Sequence, residues 1–198
     1  LAAGGRGHVV RGAWRAADVR AAEQALMTTL PPGTLMARAA AGLARRCALL
    51  LRQRYGRVYG TRVLLLVGSG DNGGDALYAG AVLARRGAAV TAVATNPERV
   101  HSGGLAALRA AGGRTASGLP DQAELVVDGI LGIGASGGLR QPAAGLVAAL
   151  PALRDRAGQP PIVVAVDVPS GVAVDTGDVP GEAVTADVTV TFGCLKPA

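Results

Sequence analysis

Three aspartates, Asp75, Asp128 and Asp167, each belong to a short glycine-bearing polar segment that follows an apolar run. Asp128 closes Val126-Val127-Asp128 and is followed by Gly129, while Asp167 closes the run 163–166 and leads into Val168-Pro169-Ser170-Gly171. With Asn72 and Ser170 nearby in the same segments, these residues offer convergent hard oxygen ligands. One ionised carboxylate plus neutral amide and hydroxyl oxygens suits a monovalent cation better than magnesium. A lone aspartate at a strand end is also a common cap or turn former.

The segment Gly68-Ser69-Gly70-Asp71-Asn72-Gly73-Gly74-Asp75 carries a second chemistry. Small residues between a buried strand and a helix let the backbone approach a ligand, and the helix start offers free N–H groups to phosphate. The same turn serves wherever a strand and a helix simply pack closely. It is not a Walker A loop, since no Gly-Lys-Ser/Thr ends it. Gly-x-Gly-x-x-Gly spans Gly68 to Gly73, but the next strand ends Val93-Ala94-Thr95-Asn96 without an acidic ribose reader. No Ser/His/Asp triad, catalytic cysteine or zinc cluster competes. His8 and His101 sit in polar stretches and read as surface residues, and Cys47 and Cys194 are too few for a disulfide framework.

The surrounding pattern supplies the frame. Apolar residues recur three or four apart over 17–30 and 34–54, which predicts two N-terminal helices split by Pro31-Pro32-Gly33. Residues 63–67 are uniformly apolar, as in a parallel strand buried on both faces. Helices follow at 76–86, 104–111 and 143–153, interleaved with strands at 90–94, 125–127, 162–166 and 188–192. That alternation predicts an α/β fold, a Rossmann-like three-layer sandwich with a mostly parallel sheet, and places ligands at the carboxyl ends of the strands.

Composition narrows the class. The 198 residues are 49% hydrophobic and 17% charged, which fits a single domain with one substantial core. The net charge of +6 is almost all arginine, Lys196 being the sole lysine. Those arginines are scattered, without charge blocks or aromatics to stack bases, which argues against nucleic acid; a modest positive field favours an anionic dinucleotide. No run approaches the ~18 apolar residues that span a bilayer, and no signal-peptide pattern opens the chain, so the expected location is cytoplasmic.

In order and spacing four motifs resemble the NAD(P)H-hydrate epimerase (YjeF N-terminal) family. They are Asp71-Asn72-Gly73-Gly74-Asp75, Val127-Asp128-Gly129-Ile130-Leu131-Gly132-Ile133-Gly134, Asp167-Val168-Pro169-Ser170-Gly171, and residues 186–193 with Lys196-Pro197. The Leu35-Met36 helix start is similar as well, so the resemblance runs from about residue 19 to the end.

The resemblance implies an isomerase of cofactor repair that interconverts the R and S epimers of NADHX and NADPHX, nicotinamide cofactors hydrated at C6. It implies a potassium ion held by Asn72, Asp128 and Ser170. Substrate-contacting positions would be Asp71, Asn72, Gly73, Gly74, Asp75, the loop Gly132, Ile133, Gly134, Ala135, Ser136, Gly137 and Gly138, and Asp167. Asp167 is the candidate catalytic acid and base, and potassium would organise loops and diphosphate. Asp71, Ala37 and Ala40 depart from the family's usual Asn, Glu and Gly. Alternative readings are an NAD-dependent dehydrogenase and a noncatalytic Rossmann-like scaffold. The chain opens on Leu1 and stops just past a strand at Ala198. It therefore reads as an epimerase domain shortened at its C-terminal end, with an ADP-dependent dehydratase domain in the same native chain. Homo-oligomerisation stays open.

Overall fold

The computed structural model describes residues 12–134 and 137–197. Helices α1 (Ala16–Met27) and α2 (Thr34–Tyr55) precede strand β1 (Arg62–Val67), then α3 (Asp71–Arg85), β2 (Ala89–Ala94), α4 (Ser102–Ala110), β3 (Arg114–Ala116), β4 (Leu125–Gly129), α5 (Ala143–Ala149), β5 (Ile162–Val166) and β6 (Val188–Val190). The six strands form one parallel sheet in the order β3-β2-β1-β4-β5-β6. Strand order reverses between β1 and β4, which makes their carboxyl ends the topological switch point.

Alternation along the buried strands feeds two cores. Val63, Leu65 and Val67 of β1 face a cluster with Leu43, Leu51, Leu77, Leu83 and Leu108 from α2, α3 and α4. Leu64 and Leu66 face the opposite cluster, where Ala143 and Val147 of α5 cover the sheet. The three-layer α/β expectation therefore holds, with every strand pair parallel.

Four local expectations need correction. The Asp71–Asp75 segment is not a turn: α3 begins at Asp71, and the glycines occupy its first turn. β6 ends at Val190, not at residue 192: past it the Phe192 carbonyl accepts from Lys196 Nζ and the chain turns at Gly193, φ 70°. The helix expected over 143–153 ends its α-helical part at Ala149 and tightens to a 3₁₀ turn over Leu150–Ala152, where Pro151 cannot donate a helical bond. β3 was not expected at all, since Arg114, Thr115 and Ala116 are exposed and carry no apolar signal.

Helix α1 stands apart. Only Ala16 and Val19 of it are buried, Ala16 against Val168 and Val174. Its approach is fixed at its start by Trp14 N–H to Leu195 O (2.9 Å) and Ala16 N–H to Asp175 Oδ1 (2.8 Å). The rest projects along the rim of the sheet.

Candidate functional site

The carboxyl ends of β1, β4 and β5 meet without room for side chains where they turn. A methyl on Gly68 would overlap the carbonyl of Ile130, and one on Gly132 would overlap the Asn72 side chain. These contacts draw the start of α3 and the loops after β4 and β5 into one cluster. Asn72 donates through Nδ2 to Leu131 O (3.0 Å) and Val166 O (2.7 Å). Ser170 donates its hydroxyl to Asp128 Oδ1 (2.6 Å) and its N–H to Asp128 Oδ2 (2.8 Å). The same hydroxyl accepts from Leu131 N–H (2.9 Å), and Ile130 N–H reaches Asp128 Oδ1 (3.2 Å).

Asp128 is fully buried, and all of these partners are neutral. Burial raises its carboxyl above the ordinary range, against the lowering effect of the Ser170 and Ile130 hydrogen bonds. A buried carboxylate facing only neutral donors, with the Ser170 hydroxyl on it and Asn72 bonded to the same loop through Leu131, fits a monovalent cation. Asn72, Asp128 and Ser170 are thus brought together as the sequence pattern requires.

Asp167 sits beside them in a left-handed conformation, φ 68°, the one non-glycine residue with positive φ among those described. Such backbone persists where surroundings hold it, and it recurs at active sites. Its N–H is tied to Val190 O at 2.8 Å. Its Oδ1 accepts from Thr191 Oγ1 (3.0 Å) and pairs with the buried ammonium of Lys196. Lys196 also donates to Thr191 Oγ1 and Phe192 O, both at 2.8 Å. Sequence reading passed over Lys196 as a site residue, although a single lysine in an arginine-rich chain was a signal. An ammonium can close on one carboxylate oxygen in a tight pocket where a guanidinium fork would not fit.

Above this floor opens a cleft of about 2270 Å³, lined by α1, the first turns of α2 and α3, and the loops after β2, β4 and β6. It exceeds the roughly 300–1,000 Å³ of a pocket for a drug-sized ligand and so has room for an extended one. Asp71, Asn72, Asp75, Gly132, Ile133, Gly134, Gly138 and Asp167 line it. Gly73 and Gly74 lie buried under the helix start, and Gly137 is exposed away from the lining. Ala135 and Ser136, and likewise His8, fall outside the described residues.

Asp71 is exposed at the start of α3 and forms no ion pair among the described residues. His101, expected at the surface, is instead half-buried in the cleft wall, its Nδ1 accepting from Gly104 N–H (3.0 Å) to cap α4 and its ring edge-on to Tyr78. Glu23 was also missed: it is half-buried on the otherwise exposed part of α1. Burial raises its carboxyl; Lys196 opposes that rise, and Asp167 and Asp71 add to it.

The strand order and the carboxylate-lined cleft at the switch point define a Rossmann-like α/β domain built to bind a ligand at the sheet rim. The chain belongs to the family described as YjeF-related protein N-terminus, whose profile matches residues 32–198. A bifunctional NAD(P)H-hydrate repair enzyme Nnr of Mycobacterium tuberculosis (strain ATCC 25618 / H37Rv) is 52% identical over 179 residues, covering 90% of this chain and 37% of that protein. An NAD(P)H-hydrate epimerase of Clavibacter sepedonicus is 46% identical over 197 residues, 93% of this chain and 81% of that protein. The crystal structure of yeast ynu0 shares the fold, with a TM-score of 0.78 at 23% identity over 94% of this chain and 82% of that one. The chain spans 37% of the length of the Mycobacterium relative. No described helix is long and apolar enough to cross a membrane.

Proposed function

We propose that the chain epimerises C6-hydrated NADH and NADPH, interconverting their R and S forms. The observation that carries this reading is Asp167: a carboxylate in a strained backbone, gripped by Lys196 and Thr191, at the floor of a cleft large enough for a dinucleotide. The names of the 46% and 52% identical relatives support the same reaction. In the first step the C6 hydroxyl departs as the lone pair of the ring nitrogen forms an iminium-like cation. Water then adds to the opposite face of C6. Asp167 moves the protons, a role worth about 10²–10⁴ in rate. Lys196 and Thr191 fix the carboxylate so that no reorganisation is needed during the step.

Asn72, Asp128 and Ser170 would hold a potassium ion, whose charge balances Asp128 and ties the loops after β4 and β5 to the start of α3. The free N–H groups at that helix start suit the diphosphate. The end of β2 presents Thr95 and Asn96 rather than an acid, which disfavours the dehydrogenase reading. The longer bifunctional relatives support a partnership with a dehydratase acting on one epimer, since repair of the whole pool needs both reactions.

The test is direct: purified S-NADHX is incubated with the chain and the epimers are separated by chromatography. Approach to an S/R mixture far faster than in buffer is expected, with ¹⁸O from labelled water entering at C6. Failure to accelerate equilibration of either NADHX or NADPHX would overturn the reading.

A further inference from the structure

The mechanism above leaves one buried carboxyl in the cleft unused. Asp75 is 6% exposed and lines the cleft, and its Oδ1 has no hydrogen-bond partner among the described residues. A buried polar atom left unpaired is costly, less so on a protonated carboxyl than on a charged one, and here it belongs to a residue that itself lines the cleft. Position follows from the helix: Asp75 lies one turn after Asp71 on α3, so both project from the same face.

Its electrostatic surroundings are acidic. Burial acts first and the charges of Asp71, Asp167 and Glu23 follow, together pushing the Asp75 carboxyl up to about 8. From the segment after β6, Lys196 is engaged by Asp167. From the α4 side, His101 uses Nδ1 on Gly104. The first turn of α2 offers Leu35 and Met36, and the cleft arginines Arg20, Arg38, Arg85 and Arg140 are solvent-exposed. Asp75 therefore holds its proton at neutral pH, whereas Asp167 faces an ammonium.

Epimerisation asks for a proton donor and a proton acceptor. A departing hydroxyl needs a proton, and the water that adds to the other face must lose one. We propose that Asp75 is the second catalytic carboxyl of the site, giving its proton to the departing C6 hydroxyl of one epimer while Asp167 receives the proton of the water that forms the other. This rests on the epimerase reading and narrows the part of Asp167, in each direction, to one of the two proton transfers. In that direction the C6–O bond breaks with its electron pair on oxygen, the Asp75 proton completes a water molecule, and the ring-nitrogen lone pair makes the C6–N double bond. The new C6–O bond forms as water adds, the double-bond pair returns to nitrogen, and the released proton passes to Asp167. The reverse reaction exchanges the two roles, and solvent returns the proton between turnovers.

Asp75→Asn keeps the shape of the side chain but cannot release a proton. With S-NADHX as the probe, its kcat should fall about 100-fold or more, within the range of acid–base catalysis, while KM moves less than about threefold. The parent chain should lose kcat/KM as pH rises through about 8. Parental kcat in Asp75→Asn, with or without a raised KM, overturns the proposal and leaves the epimerase reading standing. A parent chain that does not equilibrate the epimers overturns the epimerase reading itself. Should the variant melt below the parent, the parent's own profile decides: no alkaline loss of kcat/KM between pH 7 and 9.5 overturns the role of Asp75.

Discussion

The two ends of the sheet use carboxylates in opposite ways. At the amino end, Asp155 Oδ1 accepts from the N–H groups of Ala157 and Gln159, both at 2.8 Å, and Oδ2 accepts from Tyr55 Oη at 3.0 Å. Glu124 Oε2 accepts from Arg62 N–H at 2.6 Å, and Oε1 faces Arg156 at 3.6 Å. At the carboxyl end, Asp75 Oδ1 has no partner among the described residues and Asp128 has only neutral ones. Their acidities diverge accordingly. Burial would raise Asp155, but the Gln159, Tyr55 and Ala157 hydrogen bonds outweigh it and hold the group below its ordinary value, whereas Asp75 and Asp128 are raised. Asp155 and Asp128 each accept three hydrogen bonds from neutral donors, so what separates them is that desolvation prevails at Asp128 and hydrogen bonding at Asp155; Asp75 alone keeps an oxygen that the described residues leave unpaired.

The sharpest way to break that contrast is Asp167→Asn at one end against Asp155→Asn at the other. The first should lower kcat by about 10²–10⁴ with a much smaller change in KM, and the second should leave kcat unchanged. Steady-state kinetics with separated epimers reads both, and parental turnover in Asp167→Asn would erase the difference between the ends. Next in size, Asp128→Ala should abolish any dependence on potassium. Rates at fixed ionic strength in potassium and in tetramethylammonium should become equal, and unaltered potassium stimulation would remove Asp128 from the ion site.

Asp155→Ala should act on stability alone. Three hydrogen bonds at about 1 kcal/mol each, and roughly 2–4 °C per kcal/mol in a chain of this size, give a drop of several degrees in melting temperature. The epimerisation rate at 25 °C should stay within about twofold of the parent. The pH dependence of stability differs in sign between the ends. Asp155 is depressed when folded, so its contribution is present above the ordinary value of 3.8 and lost as pH falls through the folded value. The gap between parent and Asp155→Asn should therefore shrink as pH falls below 3.8. Asp75 is raised when folded, so its contribution is full below 3.8 and lost as pH rises toward about 8. Asp75→Asn should gain on the parent over that window, read by denaturant titration at pH 4, 6 and 8.

Much of this was legible in the residues because the signals were local. Uniform apolar runs marked β1, β4 and β5, and the aspartates at or near their ends marked the rim. The Asp71–Asp75 segment misled because glycine disfavours helix, yet Gly73 packs on the Gly68 backbone and Gly74 on Met36 and His101 where a side chain would not fit, and that packing outweighs the local preference. β3 is held by pairing with Thr91, Ala92 and Val93 of β2 and not by its own exposed side chains. Glu23 has nothing in its neighbourhood of sequence to distinguish it from a solvated helix face. Long-range ties at the start of α1, Trp14 to Leu195 and Ala16 to Asp175, carry it over the cleft, and no periodicity encodes such ties.

The crossover from β1 to β5 has a consequence for synthesis. Asn72 and Val166, which hydrogen-bond across the floor, are separated by 94 residues, and Lys196 lies a further 30 beyond Val166. At about 5–20 residues per second, the start of α3 leaves the ribosome several seconds before its partner strand exists. Loop-closure entropy must be met before that contact forms. Until then the rim lacks both the Val166 carbonyl that Asn72 reaches and the ammonium that Asp167 pairs with. The proposed chemistry therefore waits on Lys196, and a chain stalled short of it would lack the ammonium that holds Asp167.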